Sequence, residues 1–300
     1  MKSNILIVGS GALATLFAAR LSAVGLEVTM LGSWQEGLAA LRKTGARLNA
    51  GDGQIVETTD NPDDCQGVNY ALVLIKSWQT ERGAYQLVKC LANDGLALTL
   101  QNGLGNDLIL SNILGVRRVS RGVTTLGATL LGPGSVRSVG EGVITIERHS
   151  RLDGLVEMLR QAGFDVRITD NLEPFEWGKL VINAAINPLT AILRIRNGDL
   201  LTNSTAHALM GQLANEVATV AEALTVKLPF MDPYHAVDEV AQKTADNISS
   251  MLQDVLRGAQ TEVEAINGAV VRIGEQKGIS SPVNRTICSL VNALPVRVKI

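Results

Sequence analysis

The run Trp177-Gly178-Lys179-Leu180-Val181-Ile182-Asn183-Ala184-Ala185-Ile186-Asn187-Pro188-Leu189-Thr190-Ala191-Ile192 sets three polar side chains at four-residue spacing in a largely apolar stretch. Wound as an α-helix, it brings Lys179, Asn183 and Asn187 into an arc of roughly 80° along roughly 12 Å of axis. One ammonium and two amides then share a face. An ammonium can polarise an oxygen and hand it a proton, and amides beside it can hold further oxygens in place. A solvated helix face ordinarily carries Glu, Lys and Arg, whereas two short, directional amides in an apolar helix call for water or a polar ligand beside them. Two readings stay open: an amphipathic surface helix, and a row that faces a ligand.

Such a helix needs a body to hold it. Three hundred residues exceed the usual size of a single core, so two domains are expected. A hydrophobic fraction of 46%, a charged fraction of 19% and a net charge of −2 describe an ordinary globular chain with no field for nucleic acid or anionic lipid. No nucleic-acid or membrane partner is expected. Cys65, Cys90 and Cys288 are odd in number and lack C-x-x-C spacing, which fits a reducing cytosol and three buried small hydrophobes rather than a disulfide frame. His149, His207 and His235 are scattered, so no metal site is expected. Lys2 followed by Ile5-Leu6-Ile7-Val8 and an apolar stretch to Ala23 imitates a secretory leader. Arg20 interrupts that pattern, and its glycines fall where a strand would turn into a helix. No other stretch is long and uncharged enough to span a bilayer, and the reading is a soluble, cytoplasmic protein.

The first half carries a second constellation. Ile5–Val8 is a short apolar run suited to a buried parallel strand, and Gly9, Ser10, Gly11, Ala12, Leu13 and Ala14 follow at once. A helical pattern over Leu16–Leu26 and a β-rich run Val28–Leu31 complete a βαβ unit of dinucleotide-binding length. Gly9 permits the tight turn, Gly11 lets a pyrophosphate approach the chain, Ala14 allows close helix–strand packing, and amides at the helix start face the anion. A tight turn in an α/β fold without nucleotide is the bland alternative. Two more strands, Ala71–Ile75 and Leu96–Leu100, run into Lys76 and into Gln101-Asn102-Gly103, and ligands in open α/β sheets collect at such carboxyl ends. After Val28–Leu31 come Gly32-Ser33-Trp34-Gln35, with neither the acid that suits the ribose of NAD nor an Arg for the phosphate of NADP. Ser33 could donate to a phosphate, and Arg42 or Lys43 could approach from the following helix.

From Gly122 to Glu147 the chain is β-rich, in Val123–Leu131, Ser135–Val139 and Val143–Ile146 with a Gly132-Pro133-Gly134 turn, and reads as hairpin strands that extend the same sheet. The first domain closes with Leu152–Ala162 and Val166–Thr169. Beyond Asn171 nearly everything is helical, broken at Arg196–Asp199, at Lys227-Leu228-Pro229 and at Gly278–Pro282. The expected architecture is α/β: a Rossmann-type doubly wound sheet in residues 1–170, and an all-helical substrate and dimerisation domain in residues 171–300. That pairing suggests a dehydrogenase.

Read together, Gly9-Ser10-Gly11-Ala12-Leu13, Leu74–Gln79, Gln101-Asn102-Gly103-Leu104-Gly105, Gly178-Lys179-Leu180 with Asn183 and Asn187–Ala191, Asn197-Gly198, Asn247–Asp254 and Thr261–Gly268 resemble the ketopantoate reductase (2-dehydropantoate 2-reductase) family over essentially the whole length. The first motif is generic; the later ones, in shared order, are specific. The resemblance implies NADPH-dependent reduction of 2-dehydropantoate, a small 2-oxoacid, to (R)-pantoate on the way to pantothenate and coenzyme A; a homodimer is expected separately, because helical second domains often pair. It implies Lys179 as the catalytic residue and Asn183, Asn187, Asn197 and Ser250 as substrate-binding positions. Asn102 would serve both substrate and cofactor, and Lys76, Ala128 and Glu262 would lie on the cofactor side. Family members often carry an Arg where this chain has Gly32, so NADH stays open beside NADPH. A paralogue for another 2-oxoacid and a non-catalytic nucleotide sensor are the rival readings.

Hydride delivery to a ketone builds negative charge on its oxygen, and Lys179 can supply the donor and then the proton. Burial lowers a lysine from its free value of about 10.4, and a pairing with Glu262 opposes that shift. Ser250 and Glu262 would lie about 120° apart on one unbroken helix, so facing one site requires a bend, for which Gly258 is the candidate.

Overall fold

A computed structural model describes residues 4–49 and 51–295. Lys2, part of the leader-like stretch, lies outside them. The chain forms two compact units, one of residues up to Gln101 with Asn106–Leu172, the other of Asn102–Gly105 with the residues from Glu173 onward.

The first unit opens with β1 (Asn4–Val8), α1 (Ala12–Ala23), β2 (Glu27–Leu31) and α2 (Gln35–Thr44). Next come β3 (Arg47–Leu48), β4 (Glu57–Thr59), β5 (Val68–Val73), α3 (Thr80–Cys90), β6 (Leu91–Thr99) and α4 (Asn106–Leu114). It ends with β7 (Val119–Thr124), β8 (Gly127–Gly132), β9 (Ser135–Val139), β10 (Val143–Glu147), α5 (Asp153–Gln161) and β11 (Asp165–Thr169). Among the described residues an eight-stranded sheet runs β11-β10-β7-β6-β5-β1-β2-β4, parallel throughout except between β7 and β10. Ile5, Leu6 and Ile7 of β1 are fully buried, as a strand covered on both faces requires. Ile5 pairs with Val28 of β2 on one side and with Tyr70 of β5 on the other. Strand order therefore reverses between β1 and β5, the place where a doubly wound sheet leaves a crevice at its carboxyl edge.

The hairpin departs from expectation. Strands β8 and β9 do not extend the main sheet; with β3 they form a separate three-stranded sheet. The reason lies in α1, whose buried residues Ala14–Ala19 and Leu21 leave it without a solvent face. A helix apolar all round needs two covers. The main sheet supplies one and the small sheet packs on α1 as the other. Between β7 and β8 the chain turns a tight corner, where a Cβ on Gly142 would meet the Leu126 backbone nitrogen at 2.5 Å. The Sγ atoms of the free thiols Cys65 and Cys90, distant in sequence, stand 3.2 Å apart.

The second unit is helical: α6 (Glu173–Leu193), α7 (Asp199–Thr202), α8 (Ser204–Ala223), α9 (Pro233–Lys243), α10 (Ser250–Arg257), α11 (Asn267–Gln276) and α12 (Pro282–Asn292). Breaks occur at the three expected places, and further ones, between α9 and α10 and between α10 and α11, were not anticipated as helix ends. Several helix starts are capped by side chains: Asn203 accepts from the Ala206 amide, Asp232 from those of Tyr234 and His235, and Ser249 from that of Leu252. The 21-residue α6 is the central member and packs on α8, α9, α10 and α12. Among the described residues no helix is long and apolar enough to cross a membrane.

Candidate functional site

The first unit offers a site made of backbone. Gly9 follows β1 with φ +133°, a conformation that L side chains rarely adopt, and its amide donates to Leu31 O at 2.8 Å. A Cβ there would press on Leu74 O at 3.0 Å. At Gly11, by contrast, a Cβ would meet nothing within 4 Å. Gly11 is the N-cap of α1, no side chain caps that helix start, and no acidic residue lies in its first turn. Uncapped amides, open space and the positive end of a helix dipole together suit an anion such as a pyrophosphate. Ser10 and Ala14 are buried at the turn, and Ala12, Leu13 and Ala128 pack on the core around α1. Lys76 stands just past β5, before the short turn Ser77–Gln79.

In the second unit the site is made of side chains. Lys179, Asn183 and Asn187 lie at successive turns of α6. Among the described residues no hydrogen-bond partner holds the Lys179 ammonium or the side-chain amides of Asn183 and Asn187, although Asn187 is buried. Desolvation lowers the Lys179 pKa to about 8, with the Glu262 carboxylate opposing the shift. Burial therefore wins the competition that the sequence left open. Glu262 is itself buried, and its Oε2 accepts from Asn102 Nδ2 at 3.3 Å. Asn102 belongs to a loop anchored in this unit by the Leu104 amide, which donates to Ala265 O at 2.9 Å. Asn102, Glu262 and Lys179 thus form one polar group.

Pro188 sits inside α6 and removes the amide that would satisfy the carbonyl of Ala184. Asn267 supplies the missing donor: its Nδ2 reaches Ala184 O at 2.9 Å and also donates to Asn284 Oδ1 at 2.9 Å. Asn284 donates in turn to Glu216 at 2.9 Å. Near Pro188, Thr190 Oγ1 lies within hydrogen-bonding distance of Ile186 O at 3.0 Å, Asn187 O at 2.9 Å and Ser249 Oγ at 2.7 Å, and its single proton goes to one of them. The helix that carries the amide row therefore continues through a proline, with the orphaned carbonyl satisfied by a buried side chain of another helix. Sequence reasoning assigned no role to Asn267, Asn284, Thr190 or Ser249. The available signal was Pro188, because a proline inside a helix obliges some donor to reach the carbonyl four residues back.

Asn197, in the break after α6, is buried; its Nδ2 donates to Thr244 Oγ1 at 2.9 Å, while its Oδ1 has no donor among the described residues. Ser250 is exposed in the first turn of α10, next to the buried cap Ser249. Gly258 ends α10 in the left-handed region, φ +67°, so the chain bends between Ser250 and Glu262 as the spacing required. No cluster of His, Cys, Asp and Glu fit for a metal occurs among the described residues.

Family models decide the identity. Residues 5–151 match the family described as Ketopantoate reductase PanE/ApbA, and residues 171–295 match its C-terminal counterpart. The chain belongs to the ketopantoate reductase family. It is 38% identical to a 2-dehydropantoate 2-reductase of Archaeoglobus fulgidus, with 97% of each chain covered. Among solved structures, a PanE/ApbA family ketopantoate reductase from Ralstonia eutropha JMP134 superposes with a TM-score of 0.90 at 33% identity, covering 97% of this chain and 98% of that one. A D-mandelate dehydrogenase, solved with NADH and anilino(oxo)acetate, superposes with a TM-score of 0.89 at 25% identity, covering 97% of each chain. The protein is accordingly an oxidoreductase of this family, with its Rossmann-type sheet and helical second unit. The family is NAD(P)H-dependent, and the open space before Gly11 with the uncapped amides of α1 fits the dinucleotide such a reductase uses.

Proposed function

We propose that this ketopantoate reductase reduces 2-dehydropantoate to (R)-pantoate, with Lys179 as general acid, within pantothenate and coenzyme A biosynthesis. The observation that carries the reading is Lys179, lowered to about 8 and aligned with the unpartnered amides of Asn183 and Asn187. At pH 7 such a group is about nine-tenths protonated, yet it gives up its proton far more readily than a free lysine. Its ammonium polarises the ketone, then protonates the alkoxide oxygen as charge develops there. Glu262 keeps that ammonium charged between turnovers. The Asn183 and Asn187 amides hold oxygens of the 2-oxoacid one turn apart, the donorless Oδ1 of Asn197 accepts from the substrate hydroxyl, and Ser250 donates to the carboxylate. A reduced nicotinamide dinucleotide, NADPH or NADH, supplies the hydride. Gly9, Ser10, Gly11, Ala12, Leu13 and Ala14 hold its pyrophosphate, with Lys76 and Ala128 along the same side and Asn102 orienting the ring.

The test is initial-rate kinetics of the purified protein with NADPH and separately NADH, against ketopantoate. Rapid turnover supports the reading. Turnover only with another 2-oxoacid would replace it by the second reading, which the likeness to D-mandelate dehydrogenase favours, so an aryl-substituted 2-oxoacid belongs in the panel.

A further inference from the structure

Strand β2 ends at Leu31, and in a doubly wound sheet the residues after this strand meet the adenosine ribose. Gly32-Ser33 offers no cation there. A Cβ on Gly32 would stand 2.7 Å from Ser10 Oγ and 3.1 Å from Ser10 Cβ, so a side chain at this position would require Ser10 to shift. Nor does α2 supply the charge, contrary to expectation. Arg42 and Lys43 lie in its last turn, roughly 10 Å along the axis from its start, and Arg42 Nη2 donates to Thr58 O on β4 at 3.2 Å.

A different helix reaches the spot. Arg82, in the first turn of α3, donates from Nη2 to Ser33 Oγ at 2.9 Å. Both residues are exposed, and among the described residues no carboxylate pairs with Arg82. The guanidinium therefore keeps most of its planar fork of donors, the geometry that suits a phosphate. The acid that could instead accept a ribose hydroxyl is Asp60, just past β4, where Gly32 N donates to Thr59 O at 3.1 Å. Its Oδ2 is engaged by Gln35 Nε2 at 2.7 Å.

We propose that Arg82, held on Ser33 at the carboxyl end of β2, recognises the 2′-phosphate of the cofactor and makes this chain select NADPH over NADH. The proposal rests on the reading of the first unit as the dinucleotide site. In it α3 delivers the cation that the segment after β2 lacks, and Ser33 both orients the guanidinium and offers a hydroxyl to the same phosphate.

The test is equilibrium binding, by calorimetry, of NADPH, NADH, 2′,5′-ADP and 5′-AMP to the wild type and to Arg82→Ala, Arg82→Lys and Ser33→Ala, with thermal unfolding as a control for folding. Arg82→Ala is expected to weaken NADPH and 2′,5′-ADP about thirtyfold while NADH and 5′-AMP change less than about twofold, in line with loss of a charge-assisted contact. Arg82→Lys is expected to fall between, because a point charge replaces a fork. An unchanged NADPH-to-NADH affinity ratio in Arg82→Ala overturns the proposal and leaves the dinucleotide site standing. A wild type that binds NADH as tightly as NADPH does the same. Binding of neither dinucleotide by the wild type overturns the proposal together with the reading beneath it.

Discussion

The turn after β1 and the polar row on α6 reach ligand-binding capacity by opposite routes. At Gly9–Ala14 the donors are main-chain amides, positioned by a φ of +133° at Gly9 and by the start of α1; side chains matter mainly by being absent. On α6 the donors are side chains, and their line passes an internal proline whose orphaned carbonyl, Ala184 O, takes its donor from Asn267 of a distant helix. A backbone site is thus local, while a side-chain site of this kind depends on helices far along the chain.

Four experiments break or sharpen that contrast, beginning with the largest effect. Lys179→Ala is expected to lose about 1,000-fold in kcat while cofactor affinity stays within about twofold, because only proton donation is removed. Near-normal turnover would remove the general acid from α6. Asn267→Leu leaves Ala184 O and Asn284 Oδ1 without their donor, and should cost about 2–4 kcal/mol in urea unfolding. A loss below about 1 kcal/mol would mean that the row does not need its distant support.

Gly11→Val tests the backbone side of the comparison. Its added Cβ meets no protein atom, so stability should fall by about 1 kcal/mol or less, the change expected at an N-cap. Dinucleotide affinity should drop roughly thirtyfold, since the side chain would fill the ligand's space. Equal affinities for variant and wild type would show that no pyrophosphate approaches there. The smallest effect concerns pH. Lys179 loses its proton as pH rises through about 8, so the rate of ketone reduction should fall on that alkaline limb. Glu262 raises the Lys179 pKa, and Glu262→Gln should therefore move the limb to lower pH. A limb that stays in place, read from a kcat/KM–pH profile, would mean that Glu262 does not sense the ammonium.

Much of the fold was legible because it is local. Ile5–Val8 and the glycines after it announced β1 and its turn, and three of the breaks beyond α6 fell at Gly, Pro and Asn clusters where helical backbone is disfavoured. Once the resemblance placed Ser250 and Glu262 at one site, helical geometry required a bend between them, and Gly258 ends α10 there. The hairpin was assigned to the wrong sheet because strand pattern says which face is apolar but not which neighbour covers it. At the candidate site, the spacing of Lys179, Asn183 and Asn187 was visible as a periodicity. Their support was not: Asn267 carries no local mark of the carbonyl it satisfies.

By itself the sequence determined the glycine turn, the buried parallel strands, the helical character of the second half and the alignment of one ammonium with two amides. Each follows from backbone sterics and from side-chain spacing within a few residues. Tertiary structure alone decided that desolvation outweighs Glu262 at Lys179, that Arg82 reaches Ser33 across 49 residues, and that Asn267 reaches Ala184 across 83. Burial and long-range hydrogen bonds arise only when distant segments pack, and no periodicity along the chain encodes which segments those are.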